Sequence, residues 1–128
     1  MSAAPPGGGI RVLLVDDERD FVSYLAKRLS VRRMRVAVVH DGASALEAVA
    51  SETPDVVVLD VLMPGMDGLE TLEGLKQLQP DLPVIMLSGH GERGSAEEGQ
   101  RLGAVEFLLK PCELGALVDA IVRAAGAA

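Results

Sequence analysis

Five residues in this 128-residue sequence could do chemistry together: Asp16, Asp17, Asp60, Ser88 and Lys110. Each lies at or just after a short aliphatic run. Three carboxylates held close repel one another and call for a hard cation. Mg²⁺ takes oxygen ligands in octahedral geometry, keeps waters and is usually shared with phosphate oxygens. His40, His90 and Cys112 lie far apart in sequence and lack the ligand spacing of a zinc site. A carboxylate is also a competent nucleophile toward phosphorus and forms an aspartyl phosphate. That transfer needs in-line positioning and cations around the equatorial oxygens. Mg²⁺ and Lys110 would supply the charge, and Ser88 a neutral hydrogen bond.

The elements that must position these groups are five aliphatic runs: Val12–Val15, Val36–Val39, Val56–Leu59, Val84–Leu87 and Phe107–Leu109. Near-continuous β-branched runs are expected of strands buried on both faces of a parallel sheet. Helical periodicity follows the runs: Phe21, Val22, Leu25, Ala26 and Leu29, then Ala45, Leu46 and Val49. Later come Leu69, Leu72, Leu75 and Leu78, and finally Leu114, Leu117, Val118, Ile121 and Val122. Ser44 with Glu47, and Asp67 with Glu70, are spaced as capping boxes. The alternation predicts an α/β layer fold with helices on both faces. In such a sheet, ligands bind beyond the carboxyl ends of the strands, where all five candidates fall. His40 and Asp41 end the second run and stand outside the set.

One intervening segment is weak. From Gly89 to Arg101 the only aliphatic residue is Ala96. Gly94 and Gly99 each cost about 1 kcal/mol relative to Ala in a helix. The expectation is a short, frayed or mobile fourth helix.

Composition narrows the classes. A 48% hydrophobic content supports a core, and 2% aromatics with no Trp make that core aliphatic. One cysteine excludes an internal disulfide and suits a reducing compartment. The opening MSAAPPGGG lacks the basic and apolar regions of a signal peptide, and no run approaches the roughly 18–20 apolar residues that span a bilayer. The reading is a cytoplasmic protein that engages no membrane. A net charge of −7 has the wrong sign for direct nucleic-acid binding. Arg32, Arg33 and Arg35 form one basic cluster, read as a solvated turn. His40 and His90 are read as exposed and without a role, and Cys112 as a packing residue. Residues 1–9 read as a disordered tail, 10–124 as one domain and 125–128 as a C-terminal tail.

The motifs carry a family resemblance. DDE at Asp16–Glu18, DVLMPGMDG at Asp60–Gly68, LSG at Leu87–Gly89 and LKP at Leu109–Pro111 resemble a response-regulator receiver domain, over roughly Ile10 to Arg123. The resemblance implies a flavodoxin-like, doubly wound five-stranded parallel sheet in the order 2-1-3-4-5. It also implies residue roles. Asp60 resembles the phospho-accepting aspartate. Asp17 resembles the direct metal ligand, Asp16 its water-mediated companion, and the backbone carbonyl of Leu62 a further ligand. Lys110 matches the lysine that pairs with the phosphoryl group. Ser88 and Phe107 match the switch pair, and the Lys110–Pro111 bond is expected to be cis. Partners so implied are a histidine kinase or histidine phosphotransfer protein as donor. An output domain or partner protein would read the face made by helix 4, strand 5 and helix 5. The chain would be no enzyme beyond catalysing its own phosphorylation and dephosphorylation.

Two departures from the family pattern stand out: Cys112 follows the Lys-Pro pair in place of an aromatic, and Glu97 and Gln100 fall where apolar residues often pack. Two other classes compete with the receiver reading. One is a phosphatase or phosphotransferase with an aspartate nucleophile, which usually needs a second acid and a lid. The other is a phosphate-independent pseudo-receiver, against which the complete acidic set, Ser88 and Lys110 speak.

Leu62 lies two residues past Asp60, and an apolar side chain there cannot orient a hydrolytic water. Leu62→Asn is therefore expected to shorten the lifetime of the phosphorylated form, measured as the first-order loss of labelled phosphate. An unchanged rate would sink this expectation.

Overall fold

The computed structural model describes residues 9–61, 68–88, 93–110 and 112–126, and for 93–96 the backbone alone. Five strands form one parallel sheet: β1 (Arg11–Val15), β2 (Arg35–Val39), β3 (Val56–Asp60), β4 (Val84–Ser88) and β5 (Glu106–Leu109). Five helices alternate with them: α1 (Arg19–Val31), α2 (Gly42–Ser51), α3 (Gly68–Leu78), α4 (Arg93–Arg101) and α5 (Leu114–Gly126). The sheet order is β2-β1-β3-β4-β5, the flavodoxin-like order expected. Each aliphatic run became a strand, extended by no more than one residue at an end. The last helix reaches Gly126, two residues beyond the boundary read at 124. Among the described residues, no helix is long and apolar enough to cross a membrane.

Strand alternation sorts the core into two layers, because successive side chains point to opposite faces. Val12, Leu14, Val56, Val58, Ile85 and Leu87 pack with α1 and α5. Leu13, Val15, Val57, Leu59, Val84 and Met86 pack with α2 and α3. The central strands are therefore apolar on both faces between their end residues, as strands covered on both faces must be. The aliphatic core anticipated from composition is what fills both layers.

Helix ends show where local chemistry differs from the sequence reading. The α2 N-cap is Asp41, whose Oδ1 accepts from the Ser44 backbone N–H at 2.7 Å. The cap thus lies three residues earlier than the Ser44–Glu47 box, because Gly42 already has helical geometry. That backbone bond, then the Ser44 hydroxyl, holds the Asp41 carboxyl below the usual carboxylate range. Asp67 lies outside the described residues.

The weak fourth helix forms, and at nine residues it is the shortest of the five. Glu97 and Gln100 are exposed, while Gly99 is buried. A Cβ on Gly99 would lie 2.8 Å from Met86 Sδ, so the missing side chain is what lets α4 approach the sheet. Gly103 ends the helix with φ +105°. Its N–H bonds to Gln100 O, and the Ala104 N–H bonds to Gly99 O at 2.9 Å, which is a Schellman closure.

The end of α1 uses the same closure without a glycine. The Arg33 N–H bonds to Ser30 O and the Met34 N–H to Leu29 O, with Arg33 at φ 65°. Arg32 and Arg33 of the basic cluster thus form a turn, as read, while Arg35 opens β2. Arg33 is held in a conformation that costs an L-residue roughly 1–2 kcal/mol. Arg33→Gly is expected to raise stability by about 0.5–1 kcal/mol, the strain relief less the extra unfolded-chain entropy. Gly103→Ala should lower it by about 1 kcal/mol. Denaturant midpoints of the two variants moving in the same direction would contradict this account.

Candidate functional site

The site gathers at the carboxyl ends of β1, β3, β4 and β5, where each strand stops being apolar. Asp16 follows β1 and is 3% exposed, and Asp60 closes β3 at 5%. Asp17 is exposed at the rim. One carboxylate oxygen from each of Asp16, Asp17 and Asp60 lies within 4.8 Å of the others. By strand alternation, Asp16 and Asp60 share the face of Leu14 and Val58, the α1/α5 side.

Lys110 bridges this cluster from beyond β5. Its Nζ donates to Asp16 Oδ2 at 2.9 Å and Glu18 Oε1 at 3.0 Å, and lies 3.5 Å from Asp60 Oδ1. It also sits 4.8 Å from the ring centroid of Phe21 on α1, a cation–π distance. Its backbone N–H donates to Ser88 O, which fixes the chain as it leaves the strand. Burial pulls the ammonium pKa down. The hydrogen bonds to Asp16 and Glu18 and the charges of Asp16 and Asp60 outweigh burial and hold it above the ordinary lysine value. A raised folded-state value means the stabilisation is fully present below the unfolded pKa of about 10.4. It is lost only as pH climbs through the higher folded value.

Asp16 does two jobs. Its Oδ1 accepts from the Glu18 backbone N–H at 2.9 Å, which turns the chain into α1, while Oδ2 holds Lys110. Its backbone carbonyl accepts from His40 Nδ1 at 3.0 Å, a bond that requires the imidazole proton on Nδ1. His40 is half-buried, so the reading of an exposed histidine without a role is corrected. Being next after β2, it reaches the loop after β1 because the two strands are neighbours. His90 lies outside the described residues.

Ser88 is fully buried at the end of β4, and Phe107 is the register neighbour of Met86 on β5. Phe107, like Leu102 and Ala104, packs against the core layer on the α2/α3 side of the sheet. Alternation from Val84 and Met86 puts Ser88 on that same side. Asp16, Asp17, Asp60 and Lys110 thus come together, while Ser88 and Phe107 stand on the opposite face of the sheet from Lys110. Leu62 and Pro111 lie outside the described residues. Cys112 packs against the α1/α5 layer, and burial pushes its thiol pKa up, as suits a packing residue rather than a nucleophile.

Sequence reasoning missed Glu18, Phe21 and His40 as neighbours of the pocket. Glu18 belonged to the DDE motif and Phe21 to the α1 apolar stripe, and neither signal says that Lys110 lies opposite.

Comparison with known proteins agrees with the geometry. Residues 12–122 match the family described as the response regulator receiver domain. The chain belongs to this family. It is 39% identical over 121 residues to the C4-dicarboxylate transport transcriptional regulatory protein DctD of Pseudomonas aeruginosa, covering 94% of this chain and 26% of DctD. It is 39% identical over 109 residues to the response regulator MprA of Mycobacterium ulcerans, covering 85% of this chain and 47% of MprA. The receiver thus spans a quarter to a half of these relatives' length. Among solved structures, the receiver domain of NtrX from Brucella abortus superposes with a TM-score of 0.87 at 36% identity, covering 91% of this chain and 99% of that one.

Gly68 packs against the end of β3 that carries Asp60. A Cβ there would lie 2.5 Å from Val61 Cα and 2.7 Å from Asp60 O, both backbone atoms with nowhere to go. The Gly68 N–H also bonds to Val61 O at 2.8 Å. Gly68→Ala is expected to shift the Asp60–Val61 backbone, lower thermal stability and slow phosphorylation about tenfold or more, following the cost of small misplacements. Wild-type kinetics in a folded Gly68→Ala protein would show that this packing is dispensable.

Proposed function

We propose that the receiver accepts a phosphoryl group on Asp60 from a phosphohistidine of a histidine kinase or phosphotransfer protein. The observation that carries this is Asp60 itself. It is nearly buried at a strand end, within 4.8 Å of the Asp16 and Asp17 carboxylates and 3.5 Å from an ammonium. An Asp60 oxygen forms the new bond to phosphorus. The donor's N–P bond breaks with its electron pair on the imidazole, which takes up a proton. Lys110 moves with the charge, exchanging part of its contact with Asp16 and Glu18 for the phosphoryl oxygens. The protein acts on itself in this reading and turns over no separate substrate.

The donor set fits Mg²⁺, because it is all oxygen and carries three negative charges against the one on Lys110. Asp16, Asp17 and Asp60, with the Leu62 carbonyl, would hold it. When bound, Mg²⁺ neutralises charge that develops on the transferred group.

Signal output follows from a two-state element biased by contacts that improve in one state. The Ser88 hydroxyl turns to the phosphoryl group and Phe107 moves into the space it leaves. Both lie on the side of the sheet that carries α4, so the change reaches the α4–β5–α5 face. Exposed Val105 and Leu109, 54% and 63% accessible beside and on β5, support an output partner there.

Incubation with a small acyl phosphate and Mg²⁺ is expected to label the wild type with a hydroxylamine-sensitive acyl phosphate that Asp60→Asn lacks. Asp17→Asn should melt higher than wild type without metal, through relieved repulsion, and lose the Mg²⁺ requirement's benefit. Label retained by Asp60→Asn, or no label even with a cognate kinase, would overturn the reading.

A further inference from the structure

Strand β2 is an edge left open. Among the described strands it pairs with β1 alone. The Arg35 N–H bonds to Ile10 O and the Asp16 N–H to Val39 O, which puts residues 35, 37 and 39 on the β1 side. In a parallel ladder the alternate residues, Val36 and Val38, then carry their N–H and C=O outward. Natural sheets usually blunt such an edge with proline, a bulge or inward charges. The β2 sequence Arg-Val-Ala-Val-Val has only its first residue for that.

Two clefts flank this strand, one on each face of the sheet. On the α1 side a cavity of about 550 Å³ is lined by the apolar Val22, Ala26 and Val38 together with Arg19, Lys27 and His40. Its lining contains two cations and no acid. On the α2 side a cavity of about 590 Å³ is lined by Leu13, Ala37, Ala48 and Pro54, with Arg11, Arg35 and Glu52 around it. An added strand would send alternate side chains into the two clefts.

Charge points the same way. Residues 21–40 hold Lys27, Arg28, Arg32, Arg33 and Arg35 and no acid, in a chain of net charge −7. Among the described residues none of these five makes an ion pair. Of these five only Arg35 lies on β2 and the others on α1 and the turn after it, so a second copy of this edge would bring two like-charged regions together.

We propose that the β2 edge accepts an extended segment of a partner protein as a sixth strand, with acidic side chains entering the α1-side cleft and apolar ones the α2-side cleft. Backbone bonds to Val36 and Val38 supply affinity, and the two clefts supply the preference for an alternating sequence. Asp60 lies at the opposite side of β1, so occupancy of this edge leaves the acceptor open.

The probe is a fluorescein-labelled Glu-Val-Glu-Val-Glu-Val-Glu peptide added to the whole chain. Saturable binding is expected, with amide exchange at Val36 and Val38 slowed about tenfold. A central proline in the peptide, or its replacement by the Lys-Val counterpart, should weaken binding about tenfold. Lys27→Glu with Ser30→Glu should weaken it similarly while labelling of Asp60 by a small phosphodonor is unchanged. The proposal is overturned by unaltered exchange at Val36 and Val38, by equal binding of the proline or lysine peptide, or by self-association through β2.

Discussion

Lys110 Nζ draws together carboxylates from the loop after β1, the start of α1 and the end of β3, elements that are far apart in sequence. Without it, Asp16 and Asp60 would be nearly buried like charges within a few ångströms of each other, which no fold tolerates uncompensated. With it, the cluster is bound but still carries more negative than positive charge, the condition that favours a divalent cation. The same lysine rests on Phe21, so its position is fixed by α1 packing as well as by charge. Fold and chemistry meet in this one side chain.

The sheet makes that convergence possible through its alternation. Each central strand is apolar on both faces through its middle, and the acidic and hydroxyl groups come at or just after its carboxyl end. Asp16 and Asp60 fall on the α1/α5 face with Lys110, while Ser88 and Phe107 fall on the face covered by α2, α3 and α4. Asp60 and Ser88 close neighbouring strands, so the two faces of the sheet meet at these strand ends. The small residues Gly68 and Gly99 matter for the same reason. One lets the start of α3 lie against the backbone of Asp60 and Val61, and the other lets α4 settle onto Met86 beside Phe107.

Charge is distributed as deliberately as apolarity. The acidic rim sits at the carboxyl ends of the strands, and a local run of arginines sits at the other end of β2. Arg33 occupies a left-handed backbone position that glycine would fill without strain, so the turn closes at some cost in stability.

The strand runs, the helical periodicities and the strand-end positions of Asp16, Asp17, Asp60, Ser88 and Lys110 were all legible in the sequence, because local patterning and strand termini are written in neighbouring residues. The capping of α2 by Asp41 was misplaced by three residues, since several polar residues there suit a cap and only backbone geometry chooses among them. Glu18, Phe21 and His40 became part of the pocket only in three dimensions. Their role depends on which strands are neighbours and on which face of the sheet each side chain emerges. Gly99 reads as a weak point along the chain and proves to be a close-packing site, because what a missing side chain makes room for is a property of the opposing surface.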